Sequence, residues 1–498
     1  MDGLRGTLAA SLAALVLGAL LAALVVAPEW GQLGTELPGV LNDDGLGALH
    51  LHHDFHDALR EGRLSLVDPD QLVPAGSDRW LREGGNSLEM LVSGAFRLVL
   101  PWPLWLTVGG LAWIPLNLLA FLPLGRHLWG RWGPALAAGA AWAVLPPVLE
   151  QLATLRLTQL VLVGLPIAVL GFLRIGEGRR GGWWICGLGM ALTAAGYWFY
   201  GYFMVLLAPV FLAWAWRQRG REAVPAIAKA AGLALALCLP LLSRPLWVRL
   251  SGGWMPSNPA TAEFSSPVFE DALQLSGPQA IEGWCPWILL IGFGATAMWG
   301  RRRVLFGVLA LICVAFAMGP AQKVGEWLWL LPSYPLWRWL PGFDRQLHPD
   351  RWIHVAGLFM VLLAADGLAR KQALLTWLLP VGVMAQVLLM RLPLGSWDPT
   401  PPAVWQAVQA TEGQGVIVVP LLESPLSCAW QPFHGKRLLG GMGENQPWFR
   451  PPAFEAFIEG NGLLMQLWLL GRGEDQRIEV VQQDLDGLRE QGLDVVVP

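Results

Sequence analysis

Long runs of apolar residues, separated by short polar connections, fill most of the first 395 positions of the chain. The first run, residues 6–28, is long enough for an α-helix of about 20 residues to cross the hydrocarbon core of a membrane. It lacks a convincing signal-peptide cleavage site, so we expect a retained helix. Ten further runs bring the predicted total to eleven membrane spans; they lie at 103–125, 133–150, 157–174, 183–199, 202–216, 223–242, 284–299, 303–320, 352–369 and 373–391.

From residue 396 onward the continuous hydrophobicity is lost. Short apolar runs at 415–421 and 494–498 are typical of strands, and residues 478–491 have the spacing of an amphipathic helix. The pattern therefore predicts an α-helical polytopic membrane protein in two parts. The first is a transmembrane domain over residues 1–395, and the second is a small α/β domain over residues 396–498.

The lysines and arginines of the short connections fall on one side of this topology, after the even-numbered spans. Cytoplasmic loops carry such an excess, so we predict a cytoplasmic N-terminus and a C-terminal domain on the outer side. The predicted outside loops are then 29–102, 243–283 and 321–351. The basic connections lie at 126–131, 174–180, 216–221, 300–303 and 369–371.

Composition agrees with this assignment. Charged residues make up 14% of the chain, whereas soluble proteins carry about 25%. A net charge of −3, with no basic tract beyond residues 301–303, argues against a nucleic-acid partner. Many of the 29 tryptophans flank apolar runs, where indole rings contact lipid headgroups. Cys285 and Cys428 are both predicted outside, and a disulfide between them is left open.

Half of the eight histidines lie in one short stretch, HLHHDFHD at residues 50–57, within a helix predicted over residues 45–62. Helical spacing places His50, His53, Asp54 and Asp57 on one face. Three interpretations stay open. The helix can lie on the membrane surface with its imidazoles toward water, form the polar wall of an active site, or hold a metal ion through His and carboxylate ligands, with a third ligand from elsewhere.

Three stretches resemble a known superfamily. An acidic pair after the first span, followed by a helix ending in ALREGRLSLVDPD, resembles the first outside loop of GT-C superfamily glycosyltransferases. The stretch LPSYPLWRWLPGFDRQLHPDRWIHVAGLFMVLLAADGLAR (331–370) is similar to an outside loop and span of its bacterial branch related to protein O-mannosyltransferases and YfhO-like proteins. FHGKRLLGG (433–441) is similar to a stretch of the same branch. The resemblance implies an enzyme of the bacterial inner membrane with a periplasmic or extracellular C-terminal domain.

The resemblance also implies a sugar donor linked to polyprenyl phosphate and a glycan, lipid or protein acceptor. In the superfamily a carboxylate of the first outside loop acts as general base or holds a metal. By position, the resemblance assigns this role to Asp43 or Asp44. A carboxylate that takes the proton of an acceptor hydroxyl lowers the barrier to transfer. An Asx turn that caps the following helix is the structural alternative for Asp44. The second acidic position of the superfamily matches Glu150, which can equally be an ordinary residue at the end of a span.

A lipid-linked phosphate needs cations, and the planar guanidinium of arginine binds two of its oxygens. The candidates on the outer side are Arg156, Arg244, Arg345 and Arg351, with His348 beside them. Contact with lipid headgroups, or pairing of Arg351 with Asp344 or Asp350, is the alternative. His53 and Asp54 are further candidates if the helix lines the site. No cofactor is assigned, and a divalent cation is left open.

Two further functions compete with the glycosyltransferase. A scaffold of the same architecture would bind a partner protein or a polysaccharide without catalysis. A transporter would need polar groups near the middle of the membrane, and these spans contain few.

Overall fold

In this computed structural model the chain is described at residues 2–39, 43–62, 67–78, 80–81, 87–254, 294, 302–324, 327–340, 349–390, 396–421, 426–441, 450–474 and 477–497. For Asp43 and Asp44 the description covers the backbone only. The predicted span at 284–299, apart from residue 294, lies outside these ranges, as do the predicted site residues Arg345 and His348 and also Cys285.

Helices dominate the part of the chain before residue 391. In chain order they are α1 (Asp2–Val26), α2 (Asp43–Arg60), α3 (Ser87–Arg97), α4 (Leu104–Leu111), α5 (Trp113–Trp129), α6 (Trp132–Ala143), α7 (Pro146–Ala153), α8 (Gly164–Gly176), α9 (Gly182–Gly196), α10 (Trp198–Arg219), α11 (Ala223–Leu250), α12 (Arg303–Ala317), α13 (Tyr334–Trp339), α14 (Trp352–Lys371) and α15 (Leu378–Met390). The short strands among them are β1 (Leu37–Pro38), β2 (Val67–Asp68), β3 (Ser77–Asp78), β4 (Ala321–Val324) and β5 (Trp327–Leu330).

Five helical stretches within the described ranges are long and apolar enough to cross a membrane, which makes this a helical membrane protein. A sixth is added if α6 and α7, bent by 44° at their junction, count as one span. Helices α9 and α12, with 15 residues each, rise about 22 Å, less than the hydrocarbon core of about 30 Å. The five stretches are Leu4–Val26, Leu104–Trp129, Leu157–Gly176, Trp198–Leu250 and Pro349–Lys371.

The stretch Trp198–Leu250 contains two of the predicted spans. Its 53 residues would extend about 80 Å as a single helix, more than twice the thickness of the hydrocarbon core. Gly220 interrupts it with a φ of +59° and a short 3₁₀ turn follows, so α10 and α11 are separate helices that both pack against α9.

Small residues let the central helices approach closely. A Cβ at Gly171 of α8 would overlap the backbone of Cys186 in α9, and a Cβ at Gly189 would overlap Ala168. Helices in lipid commonly associate through such close contacts, because burying apolar surface against another helix gains little free energy in an apolar solvent. Helix α14 lies deepest, since nearly all of its residues are buried.

Several of the predicted cytoplasmic connections meet at one end of the bundle. Glu177 forms ion pairs with Arg302 at 2.7 Å and Arg179 at 3.1 Å, and its carboxylate lies 3.2 Å from His127 Nε2. The buried Asp366 accepts the Arg302 backbone N–H at 3.1 Å and lies 3.5 Å from Arg370. We call these six residues the basic cluster. Four segments far apart in sequence meet there.

After residue 395 the chain forms β6 (Ser396–Trp397), α16 (Ala403–Ala410), β7 (Gly415–Val418), α17 (Leu426–His434), β8 (Arg437–Leu438), α18 (Pro452–Gly460), α19 (Gly462–Gly471), α20 (Gln482–Glu490) and β9 (Val495–Val497). Strand β7 pairs in parallel with both β8 and β9. The two predicted strands and the predicted amphipathic helix are therefore present. The boundary at residue 395 and the status of this region as a domain stay predictions.

The C-terminal region is attached to the segment that follows the first helix. Strand β6 pairs with β1, so that Leu37 lies opposite Trp397. Helix α17 packs along α2. The hairpin β2–β3 is connected to β8 through the Leu438 backbone N–H, which donates to the Asp70 carbonyl at 2.7 Å. These contacts place the first polar segment and the C-terminal region side by side.

Candidate functional site

Helix α2 begins at Asp43, two residues before the predicted start, and Gly62 follows its end in the left-handed conformation, with a φ of +69°. Two carboxylates in the first turn complement the positive end of the helix dipole. The observed bounds match the expected helix, and Asp43 and Asp44 occupy its first turn.

The four histidines of α2, which we call the histidine cluster, are all buried. Their exposed fractions are 5% for His50, 1% for His52, 8% for His53 and 7% for His56. The interpretation of α2 as a membrane-surface helix with imidazoles in water is therefore wrong. The helix is covered by α3 on one side and by α17 on another, so its polar face contacts protein.

His52 and Glu89 form a buried pair between α2 and α3. The Nδ1 of His52 donates to the Ala48 carbonyl at 2.6 Å, because a carbonyl can only accept. The Nε2 of His52 contacts Glu89 Oε2. Because the proton on Nδ1 is already donated to Ala48, the contact between Nε2 and Oε2 needs a second proton. Either the imidazole or the carboxyl group carries it. A pair of this kind is stable when buried only while both partners are present.

His56 fixes the distance between the same two helices. Its Nε2 donates to the Met90 carbonyl at 2.7 Å. A Cβ at Gly94 would lie 2.8 Å from this nitrogen, so a glycine is needed there for the imidazole to fit. Burial lowers the pKa of His56 to about 4. The ring is therefore neutral near pH 7, and its Nδ1 has no hydrogen-bond partner among the residues that the structure describes.

His53 lies among aromatic rings. Its ring centroid is 4.8 Å from that of Trp102 and 5.6 Å from those of Trp105 and Phe433. Burial, followed by the charge of Arg97, lowers the pKa of His53 to about 3. A neutral, enclosed imidazole supplies no positive charge, so this geometry gives no support to the predicted role of His53 in binding a phosphate.

Asp54 joins a different group. One ligand atom each from His50, Asp54 and Asp68 lie within 4.8 Å of one another, with Asp68 contributed by β2. The distance from His50 Nε2 to Asp68 Oδ2 is 3.4 Å. Asp68 was not predicted as a site residue, because only the tertiary fold brings the turn in which it lies back to α2.

The predicted residues Glu150, Arg156 and Arg351 lie around one turn of the bundle. Arg156 and Arg351 both interact electrostatically with Asp350. The guanidinium carbon of Arg351 lies 5.5 Å from the ring centroid of Tyr197. Glu150 is on α7, and the preceding part of that helix is joined to α14 through the Pro147 carbonyl, which accepts from His354 Nε2 at 3.1 Å.

The same end of the bundle carries the start of α2. Gly39 lies against the Ala153 carbonyl at the end of α7, where a Cβ would overlap the oxygen. Only three residues separate Gly39 from Asp43. Arg244, a candidate for binding phosphate, instead pairs with Asp78 of β3 at 2.7 Å. The acidic first turn of α2, the turn with Glu150 and Arg156, and Arg351 thus belong to one end of the molecule.

No protein-family model matches this chain, and no curated protein matches its sequence. The site is therefore interpreted from its own residues.

Proposed function

We propose that this protein is a membrane glycosyltransferase of the GT-C type. It transfers a sugar from a polyprenyl-phosphate donor to an acceptor on the outer face of the bacterial inner membrane. The observation that supports the proposal most directly is the shared location of acidic and basic groups. Gly39, which precedes the start of α2 by four positions, lies against the end of α7, and Arg156 and Arg351 lie around Asp350.

In this proposal Asp43 or Asp44 removes the proton of the acceptor hydroxyl as the new glycosidic bond forms. The sugar leaves its phosphate, whose negative charge Arg156 and Arg351 stabilise. Glu150, on α7, orients the acceptor or a divalent cation. The sugar C1 exchanges one oxygen substituent for another, so no oxidant or reductant is required.

The topology belongs to the same proposal. Eleven spans, with the basic cluster on the cytoplasmic side, place the first polar segment, Arg351 and the C-terminal domain on the opposite side. The close packing of α17 on α2 supports a shared compartment for these regions. The membrane bilayer supplies the donor laterally, since its polyprenyl chain is itself a lipid.

The decisive experiment replaces Asp43 and Asp44 by Asn in the full-length chain and follows the lipid-linked sugars and glycans of the host cells. Loss of a general base lowers the rate by about 10²–10⁴-fold, so the lipid-linked donor is expected to accumulate. Asp57→Asn is the matched control, because it removes one carboxylate from the same helix, where Asp57 pairs with Arg97 at 2.8 Å. That variant should transfer sugar normally.

The second candidate is a scaffold without catalysis, favoured by the close packing of the C-terminal region over α2. An unchanged glycan profile in the Asp43→Asn, Asp44→Asn variant, at normal protein level in the membrane, would reject the enzyme and favour this scaffold.

A further inference from the structure

His50, Asp54 and Asp68 converge from two elements of the fold. His50 and Asp54 are four residues apart on α2 and therefore share a face. Asp68 approaches them from β2, and the three ligand atoms lie within 4.8 Å of one another. One nitrogen and two oxygen donors are a set that Zn²⁺ binds in proteins.

The distances suit a transition metal. Ligands at about 2.0–2.1 Å from a tetrahedral zinc ion lie roughly 3.3–3.4 Å apart. His50 Nε2 and Asp68 Oδ2 are separated by 3.4 Å, close to that value. Small side-chain rotations would bring the Asp54 carboxylate, which is only half-buried, to the same spacing.

The site is also built into the protein. The side chains of His50 and Asp68 are each 6% exposed. The Asp70 backbone N–H donates to Asp68 Oδ1 at 3.0 Å, which holds the carboxylate so that Oδ2 is directed at His50. Nε2 is the nitrogen of His50 that faces Asp68, so it is the ring atom available to an ion at this position.

We propose that His50, Asp54 and Asp68 bind one divalent transition-metal ion, with Zn²⁺ preferred. The ion balances the charge of the two carboxylates, and its remaining coordination position takes a water molecule or a substrate oxygen. This site does not use Asp43 or Asp44, and it holds whether or not the chain transfers sugars.

A metal here would also fasten two parts of the fold together. Asp70, two residues after Asp68, accepts at its carbonyl from Leu438 N–H at 2.7 Å and from Gln431 Nε2 at 2.7 Å. The ion would thus join α2 to the hairpin β2–β3, which is already bonded to the C-terminal region.

The test is direct binding of Zn²⁺ to the full-length protein, purified in detergent, stripped with a chelator and titrated in a calorimeter without any sugar donor. We expect about one ion per chain. Asp54→Asn and Asp68→Asn should each weaken binding at least tenfold, since even residues that only support metal ligands are worth 10–100-fold. Asp57→Asn, the neighbouring carboxylate on the same helix, should bind as the parent does.

Spectroscopy separates a specific site from loose association. Co²⁺ bound in place of Zn²⁺ should give the visible absorption of a four- or five-coordinate ion, and Asp54→Asn, which alters a half-buried residue, should abolish it in a folded protein. Absence of saturable Zn²⁺ binding by the parent protein would overturn the proposal. Equal affinity of the parent and the Asp54→Asn variant would overturn it as well.

Discussion

The two ends of the helical bundle carry polar groups in different ways. At the basic cluster Glu177 contacts two arginines and a histidine, and Asp366 pairs with Arg370. At the histidine cluster the imidazoles are enclosed by α3, α17 and Trp105, and several ring nitrogens have no partner within the described ranges. The first end is held by ion pairs between carboxylates and arginines, whereas the second encloses its imidazoles among aromatic rings and packed helices. This difference is why we place the chemistry at the histidine-bearing end.

The largest effect is expected from Glu89→Ala. It leaves the second polar contact of His52 unfilled in a site with 0% exposure of the glutamate, and breaking a buried pair costs about 3–5 kcal/mol. Thermal unfolding in detergent should show a markedly lower midpoint. Glu89→Gln retains an amide that donates to Nε2 and should recover much of the loss. Equal stability of the Ala variant and the parent would show that the histidine cluster does not depend on this pair.

Glu177→Ala tests the other end. The variant leaves Arg302 and Arg179 without their shared carboxylate, but the 22% exposure of Glu177 lets water replace part of the interaction. Hydrogen bonds to charged groups contribute about 1.5–3 kcal/mol, so the loss of stability should be smaller than for Glu89→Ala. The same unfolding measurement compares the two. A larger loss of stability for Glu177→Ala than for Glu89→Ala would contradict this expected order.

The smallest expected effect is the pH dependence of His434 on α17. Burial, and then the charge of Lys436, lowers its pKa from 6.5 to about 4. Below pH 6.5 the unfolded chain binds a proton that the folded chain does not, so stability falls as the pH drops toward 4 and then levels off. At pH 5 the loss is on the order of 1–2 kcal/mol.

The matched variant is His434→Asn, whose side-chain oxygen can still accept the Lys436 backbone N–H that His434 Nδ1 accepts at 3.1 Å. Its unfolding midpoint should depend less on pH between 6.5 and 5 than that of the parent protein. Identical slopes for the two proteins would mean that this imidazole titrates as freely as one in water.

Sequence periodicity predicted the bounds of helices and strands better than it predicted which residues pack against them. The bounds of α2, β7, β9 and α20 agree with expectation to within a few residues, because local apolar spacing determines them. Burial of His52 and His56 was not predictable, since periodicity shows which residues share a face but not what covers it.

Long-range contacts account for the remaining differences. The cover over α2 comes from Phe433 and its neighbours, almost 400 positions later, and Asp68 meets His50 through a hairpin whose strands are two residues long. Glu177 is one acid in a basic loop, and the sequence does not show that the fold brings Arg302 and His127 to it.

The pairing of β1 with β6 links a strand made early in synthesis to one made near the end. At about 5–20 residues per second, translation needs roughly a minute or less to pass from the first helix to residue 397. Throughout that interval α2 lacks the cover that α17 later provides. The ion proposed for His50 can therefore be acquired before the ribosome delivers the segment that later encloses it.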